Sequence, residues 1–135
     1  MKPQVVIDSN VWISGIVFGG NPEKVIRLFV EGHILLITSE ELLSELRKKI
    51  TQRFPLFIPN VALLEASIGE DAIMVQLGSL PITASRDVDD NKFLETAMIG
   101  NAQYIVCGDG DLLDLKTFRG IEIVKPIEFL KLLSL

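Results

Sequence analysis

The chain has little of what would place it in an oxidising compartment or inside a bilayer. It carries one cysteine, Cys107, so no internal disulfide framework can form, and a lone thiol fits a reducing cytoplasm. Its longest apolar runs are short, as in Ile34-Leu35-Leu36-Ile37, far below the ~18 residues of a membrane-spanning helix. A single lysine followed by a strand-like run does not read as a signal peptide. One histidine, His33, leaves a zinc site without a second imidazole, and no Cys–His pattern suggests a thiol nucleophile. Positive charge is not in excess: 13 Lys plus Arg face 18 Asp plus Glu, a net charge of −5, which does not advertise a polyanion-binding surface. Repeats, linkers and low-complexity tracts are missing as well. There remain 135 residues with an apolar content of 48%, enough for a real core, and the expectation is one domain over residues 1–135.

Strand and helix signals alternate. Gln4 to Ile7 reads as a short buried strand; Trp12 and Phe18 after it read as packing rather than base-stacking residues, although a loop there could expose either. Pro22 to Glu31 reads as a helix with Asn21 as cap, Pro22 at its first position and Gly32 ending it. Ile34 to Ile37 is a second strand. Ser39 caps a helix whose stripe is Leu42, Leu43, Leu46 and Ile50. Thr51 to Pro59 reads as a turn and Asn60 to Leu77 as helical, with a possible break near Gly69. Asp87 to Gly100 is a helix with a carboxylate-rich start. Tyr104 to Cys107 is a strand, "GDGDLLDL" a loop turning into a short helix, Glu122 to Val124 a last strand and Pro126 to Leu133 a last helix. This alternation predicts an α/β protein with a mainly parallel sheet, covered on both faces because the strands are continuously apolar. Ligands of such sheets bind outside the carboxyl ends of the strands.

Acidic residues stand at those ends. Asp8 closes the first strand, where a carboxylate after "VVI" is unusual without a task. Asp109 and Asp111 follow the strand from Tyr104, though a Gly-Asp-Gly-Asp turn could be their only purpose. Glu45 flanks its helix's apolar stripe and could simply pair with Lys49 at i, i+4. Asp90 is three, four and seven residues from Phe93, Leu94 and Ala97, so it shares their core-facing side; Asp89 shares only Phe93, and Asp87 and Asp89 serve better as caps. If these ends converge, the carboxylates would repel one another without cations. Oxygen-rich acidic clusters are what Mg²⁺ and Mn²⁺ take as ligands, and such ions can activate water against a phosphodiester. Asn10 could hold a metal-bound water or orient Asp8. Setting aside the five candidate acids, Asp8, Glu45, Asp90, Asp109 and Asp111, leaves the other acids equal in number to Lys plus Arg. Arg47, Lys48, Lys49 and Arg53 form a basic stretch beside Glu45, either a solvated face or a guide for RNA.

The segments "VVIDSNVWISG", "SEELLSELRKKI", "DVDDNKFLETAMIGNAQYIVCGDGDLL" and "IEIVKPIEFL" resemble a PIN domain, of the bacterial and archaeal branch related to VapC-type toxins. The resemblance covers essentially the whole chain and is most specific from Asp89 to Leu113. It implies a three-layer α/β/α sandwich with a parallel five-stranded sheet, and a metal-dependent ribonuclease. The family's catalytic acids fall on Asp8, Glu45, Asp90 and Asp109, with Asp111 close by. The metal-ligating set is then Asp8, Asp90, Asp109 and Asp111, with Mg²⁺ or Mn²⁺ as cofactor and Asn10 and Cys107 in support. Many members carry Thr or Ser where this chain has Cys107, and a thiol is the weaker hydrogen-bonding group. The resemblance also implies an RNA substrate, a possible antitoxin partner and a homodimer, with Val61 to Leu77 or the last helix as its surface.

Rival readings are weaker. A phosphotransferase with an Asp nucleophile wants Asp-x-Asp after strand one, and Asn10 stands in the second place. A phosphoacceptor receiver wants an Asp ending a central strand, and Asp71 lies in a helical stretch. The serious alternative is a PIN-like scaffold that binds RNA or a protein without cutting.

Overall fold

The structure, a computed structural model, describes residues 2–78, 90–108 and 110–134. Asp87, Asp89 and Asp109 therefore lie outside the described residues. The chain begins with β1 (Gln4–Ile7), α1 (Ser9–Val17) and α2 (Gly20–Val30), then β2 (Leu35–Ser39) and α3 (Glu40–Arg53). A 3₁₀ turn at Pro55–Phe57 leads into α4 (Ile58–Asp71) and β3 (Ile73–Val75). Then come α5 (Asn91–Ile99), β4 (Tyr104–Val106), α6 (Gly110–Leu113), β5 (Thr117–Phe118), β6 (Ile121–Val124) and α7 (Pro126–Leu133).

The sheet order is β3-β2-β1-β4-β6-β5. Its first five strands run parallel, and only the two-residue β5 pairs antiparallel, with β6. This is the α/β/α architecture expected from the alternation. Period-2 alternation sorts the strands into two cores. Val5, Ile7, Leu36, Val106 and Val124 pack with helices α1 to α4 and with Phe129 of α7. Val6, Ile37, Ile105, Cys107 and Ile123 pack with Phe93, Leu94 and Ala97 of α5 and Leu112 of α6.

Several expectations need correction. The segment after β1, for which the sequence pattern predicts no definite element, is helix α1. Asp8 caps it, accepting a hydrogen bond from the Val11 N–H at 2.8 Å. Trp12 packs edge-on to Phe29 in the core, while Phe18 is exposed and stands edge-on to Phe54. Helix α2 starts at Gly20 rather than after Asn21, because Gly19 and Gly20 both take positive φ and turn the chain sooner. Gly15 of α1 allows that close turn: a Cβ there would meet Ile26 Cδ1 at 2.5 Å and the Glu23 nitrogen at 2.9 Å. The predicted helix from Asn60 to Leu77 ends at Asp71, and Ile73–Val75 is an edge strand beside β2, in register Ile37 with Ile73. The Ser39 cap of α3 is present, with the Leu42 N–H 3.4 Å from its Oγ. Among the described residues no helix is long and apolar enough to cross a membrane.

Candidate active site

Strand order fixes where a site can form. From β1 the chain moves outward through β2 to β3; from β4 it moves the other way to β6. The switch falls between neighbours β1 and β4, and the crevice beyond their carboxyl ends is where open α/β sheets bind ligands. Asp8 is the first residue past β1, and its N–H still bonds the Val106 carbonyl of β4 at 3.0 Å. It is only 3% exposed. Cys107 and Gly108 continue β4 to the same edge, and the Cys107 side chain is fully buried in the core.

Helix α5 brings a second buried carboxylate. Its packing on β1, β2 and β4 is set by Phe93, Leu94 and Ala97, and Asp90 is buried with them at 8% exposure. Asp90 has helical φ and ψ, and its side chain does not cap α5. Thr96 on the same helix shares a buried 3.1 Å hydrogen bond with Ser39 at the end of β2, which fixes α5 against the sheet edge. Asp111 stands half-buried in the first turn of α6.

Glu45 arrives from the middle of α3, with a side chain 15% exposed, and is not a solvated residue paired only with Lys49. One carboxylate oxygen lies 2.6 Å from the Lys92 ammonium of α5. The other accepts from the Ser9 hydroxyl at 2.6 Å and lies 3.9 Å from Lys49. Lys49 also donates to Ser9 Oγ at 3.1 Å and to Asn10 Oδ1 at 3.4 Å. Burial alone would push the Glu45 carboxyl up, but the hydrogen bonds from Lys92 and Ser9 and the two lysine charges outweigh it and hold the pKa below the ordinary glutamate range. Asn10 is exposed, and its amide oxygen is turned to Lys49. Asp8 is oriented by its own helix cap. The network thus ties three elements together, the starts of α1 and α5 and the middle of α3.

The basic stretch divides. Arg47 turns away to Glu40 and Glu65. Lys48, Lys49 and Arg53 line an open groove of about 750 Å³ together with Lys92, Gln52 and Ser44 and with the acids Glu40, Glu41 and Glu45.

The donors suit a hard divalent cation in kind: Asp8 and Asp90 are buried carboxylates, and carboxylate oxygens are what such ions take as ligands. Among the described residues, however, no three His, Cys, Asp or Glu side chains are grouped to hold an ion. Glu45 is already satisfied by lysine and serine.

Ser9 and Lys92 are site residues that sequence patterns do not single out. Ser9 sits between two conspicuous polar residues and is hidden by them. Lys92 lies two positions after Asp90, a spacing that marks no shared helix face, so only the fold reveals its partner on α3.

No curated protein matches the sequence. Among solved structures, a chain of VapBC2 from Rickettsia felis, crystallised bound to a DNA fragment from their promoter, has the same fold at a TM-score of 0.58 and 11% identity. The match covers 89% of this chain and 96% of that one. The family model of the PIN domain matches residues 4–111, which takes in Asp8, Glu45, Asp90 and Asp109 and ends on Asp111. The chain belongs to the PIN domain family.

Proposed function

We propose that this protein is a metal-dependent endoribonuclease that hydrolyses RNA phosphodiester bonds, and that it is the toxin of a toxin–antitoxin pair. PIN domains are generally nucleases. The observation that carries the reading for this chain is the pair of buried carboxylates, Asp8 and Asp90, at the crevice where the strand order reverses. Taking two carboxylates out of water is costly, and a helix cap accounts for Asp8 alone.

In this reading Asp8, Asp90, Asp109 and Asp111 hold Mg²⁺ or Mn²⁺, which would supply an activated water and charge for the leaving oxygen. Asp8 is pre-set by its cap to Val11, so its carboxylate loses little entropy on binding. Ser9 and Lys92 keep Glu45 ionised at the crevice mouth. Cys107 packs in the core just past the end of β4. The likeness to a VapBC2 chain supports an antitoxin partner. A homodimer belongs to the same reading, with the exposed Leu63 of α4 and Ile127 and Leu132 of α7 as apolar surface for it to cover. The lone buried thiol fits a cytoplasmic setting.

The test is cleavage of a pool of cellular RNAs with and without Mn²⁺, followed by mapping of the ends. Discrete metal-dependent ends that vanish in Asp8→Asn are expected. Equal cleavage by highly purified Asp8→Asn, or cleavage that resists EDTA, overturns the reading. A second reading, an RNA-binding scaffold that does not cut, is favoured by the engagement of Glu45 with Lys92 and Ser9 and by the lack, among the described residues, of three grouped metal-binding side chains. Binding without cleavage in the same assay would establish it.

A further inference from the structure

We propose that Lys49 and Lys92 form a phosphate-binding site, held in place by Glu45, that grips the RNA strand beside the acidic crevice. The inference rests on the nuclease reading for the identity of the strand, but not on the metal. Both lysines are unusually enclosed, with side chains 26% and 25% exposed, although they come from different elements. Ordering a solvated lysine costs rotamer entropy; here that order is already imposed. Lys92 is fixed by Glu45 at 2.6 Å, a contact that uses one of the three donors of its ammonium and leaves two for a ligand. Lys49 is fixed by Ser9 and Asn10. Two ammonium groups share one carboxylate, so the cluster keeps a net positive charge.

Placement supports an anion. Both lysines line the open groove that continues along α3 past Lys48 and Gln52 to Arg53. Lys49 and Arg53 are one helical turn apart, about 6 Å along the axis at 1.5 Å per residue. Glu40 and Glu41 line the same groove at the start of α3, with Glu40 engaged by Arg47, so the strand is gripped at the other end of the groove, where Lys49, Arg53 and Lys92 lie. Glu45 is then a positioning residue: it orders two cations that a bare surface would leave mobile. Arg47, close by in sequence, serves no such purpose because Glu40 and Glu65 occupy it.

The experiment measures binding of a short fluorescein-labelled single-stranded RNA by anisotropy in EDTA across a series of salt concentrations. Each lost phosphate contact on a single strand should lower the slope of log affinity against log salt by roughly 0.7. Lys92→Gln and Lys49→Gln should each show that loss and bind about tenfold more weakly at low salt, as expected for a charged hydrogen bond. Lys92→Arg should restore the slope, which a purely structural role would not require. Lys24→Gln, an exposed lysine on α2 outside the groove, should leave the slope unchanged. Thermal melts of each variant check that it is folded.

Wild-type affinity and slope in both folded glutamine variants would overturn the inference, as would failure of wild type to bind RNA in EDTA at low salt. Cleavage by wild type together with unchanged variants sinks this site alone. A lysine-dependent slope in a protein that never cuts RNA keeps the site and sinks the nuclease reading.

Discussion

Asp8 performs a measurable structural task and a proposed chemical one, and two substitutions separate them. Its Oδ1 accepts the Val11 N–H at 2.8 Å as the cap of α1. Asn is as good a cap as Asp, because it offers the same acceptor in the same place; Ala offers none, at a cost of about 1 kcal/mol. Asp8→Asn also gives up an anion near a helix N-terminus, worth roughly 0.3–1 kcal/mol. Against that, it removes a charge buried to 3% exposure at an edge where Asp90 is buried as well. In EDTA these two effects of Asp8→Asn offset, and its melting temperature should stay near wild type. Asp8→Ala should fall by about 3–5 °C, scaling about 1 kcal/mol to a domain of this length.

Activity should behave differently. Both variants lack the ligand charge, so both should lose RNA cleavage to the same extent, well beyond what a small change in folded fraction could cause. Paired melts and cleavage assays on the same preparations are the measurement. Equal destabilisation by Asn and Ala would show that the cap is not what the side chain contributes. Cleavage retained by Asn and lost by Ala would show that the oxygen matters and the charge does not, which refutes a role for the carboxylate charge.

Metal should stabilise wild type by linkage, about 2.7 kcal/mol at a free Mn²⁺ concentration near 100 times the dissociation constant, or on the order of 10 °C. Asp90→Asn should shrink that shift while melting no lower than wild type in EDTA; equal loss in both buffers would mark Asp90 as merely structural. Asp87→Asn should keep most RNA cleavage where Asp90→Asn loses it, and the reverse order would overturn the helix phase. The Glu45 pKa is lowered in the fold, so its pairing stabilises above the ordinary glutamate value of 4.5 and is lost as pH falls through the lower folded value. Urea denaturation at stepped pH should therefore show the gap between wild type and Glu45→Gln closing on acidification; a gap independent of pH refutes the pairing. Gly15→Ala should destabilise by about 1–3 kcal/mol through overpacking on α2, measured by the same denaturation.

The layer architecture was legible because it depends on local pattern: continuous apolar strands, a Ser39 cap and the stripe Leu42, Leu43, Leu46 and Ile50. Helix α1 was not, because "DSNVWISG" packs polar caps and a glycine into a short stretch, and its stability comes from contact with α2 and α3 rather than from propensity. Strand β3 was hidden for another reason. Its Ile73 and Met74 are partly exposed at the sheet edge, and the strand state is set by pairing with β2, a contact that no local pattern announces. The burial of Asp8 and Asp90 was legible, for Asp8 from its place at the end of an apolar strand and for Asp90 from its helix phase relative to buried neighbours. The partners of Glu45 were not, since Ser9 and Lys92 are far from it in sequence.

Those partners change what Glu45 can be. As a metal ligand it would have to exchange an ammonium at 2.6 Å and a hydroxyl at 2.6 Å for an ion, and give up the contacts that hold α1, α3 and α5 together at the crevice. As an anchor it gives up nothing: its charge is neutralised, its lowered pKa keeps it ionised, and the lysines it orders face the groove. The two roles predict opposite consequences for Glu45→Gln. Loss of a ligand weakens Mn²⁺ binding and leaves RNA binding in EDTA intact. Loss of an anchor leaves Mn²⁺ binding close to wild type and loosens Lys49 and Lys92, which should weaken RNA binding even though a negative charge has been removed from the groove. The second outcome runs against simple electrostatics, so observing it would assign the anchoring role; tighter RNA binding by a folded Glu45→Gln protein would exclude it.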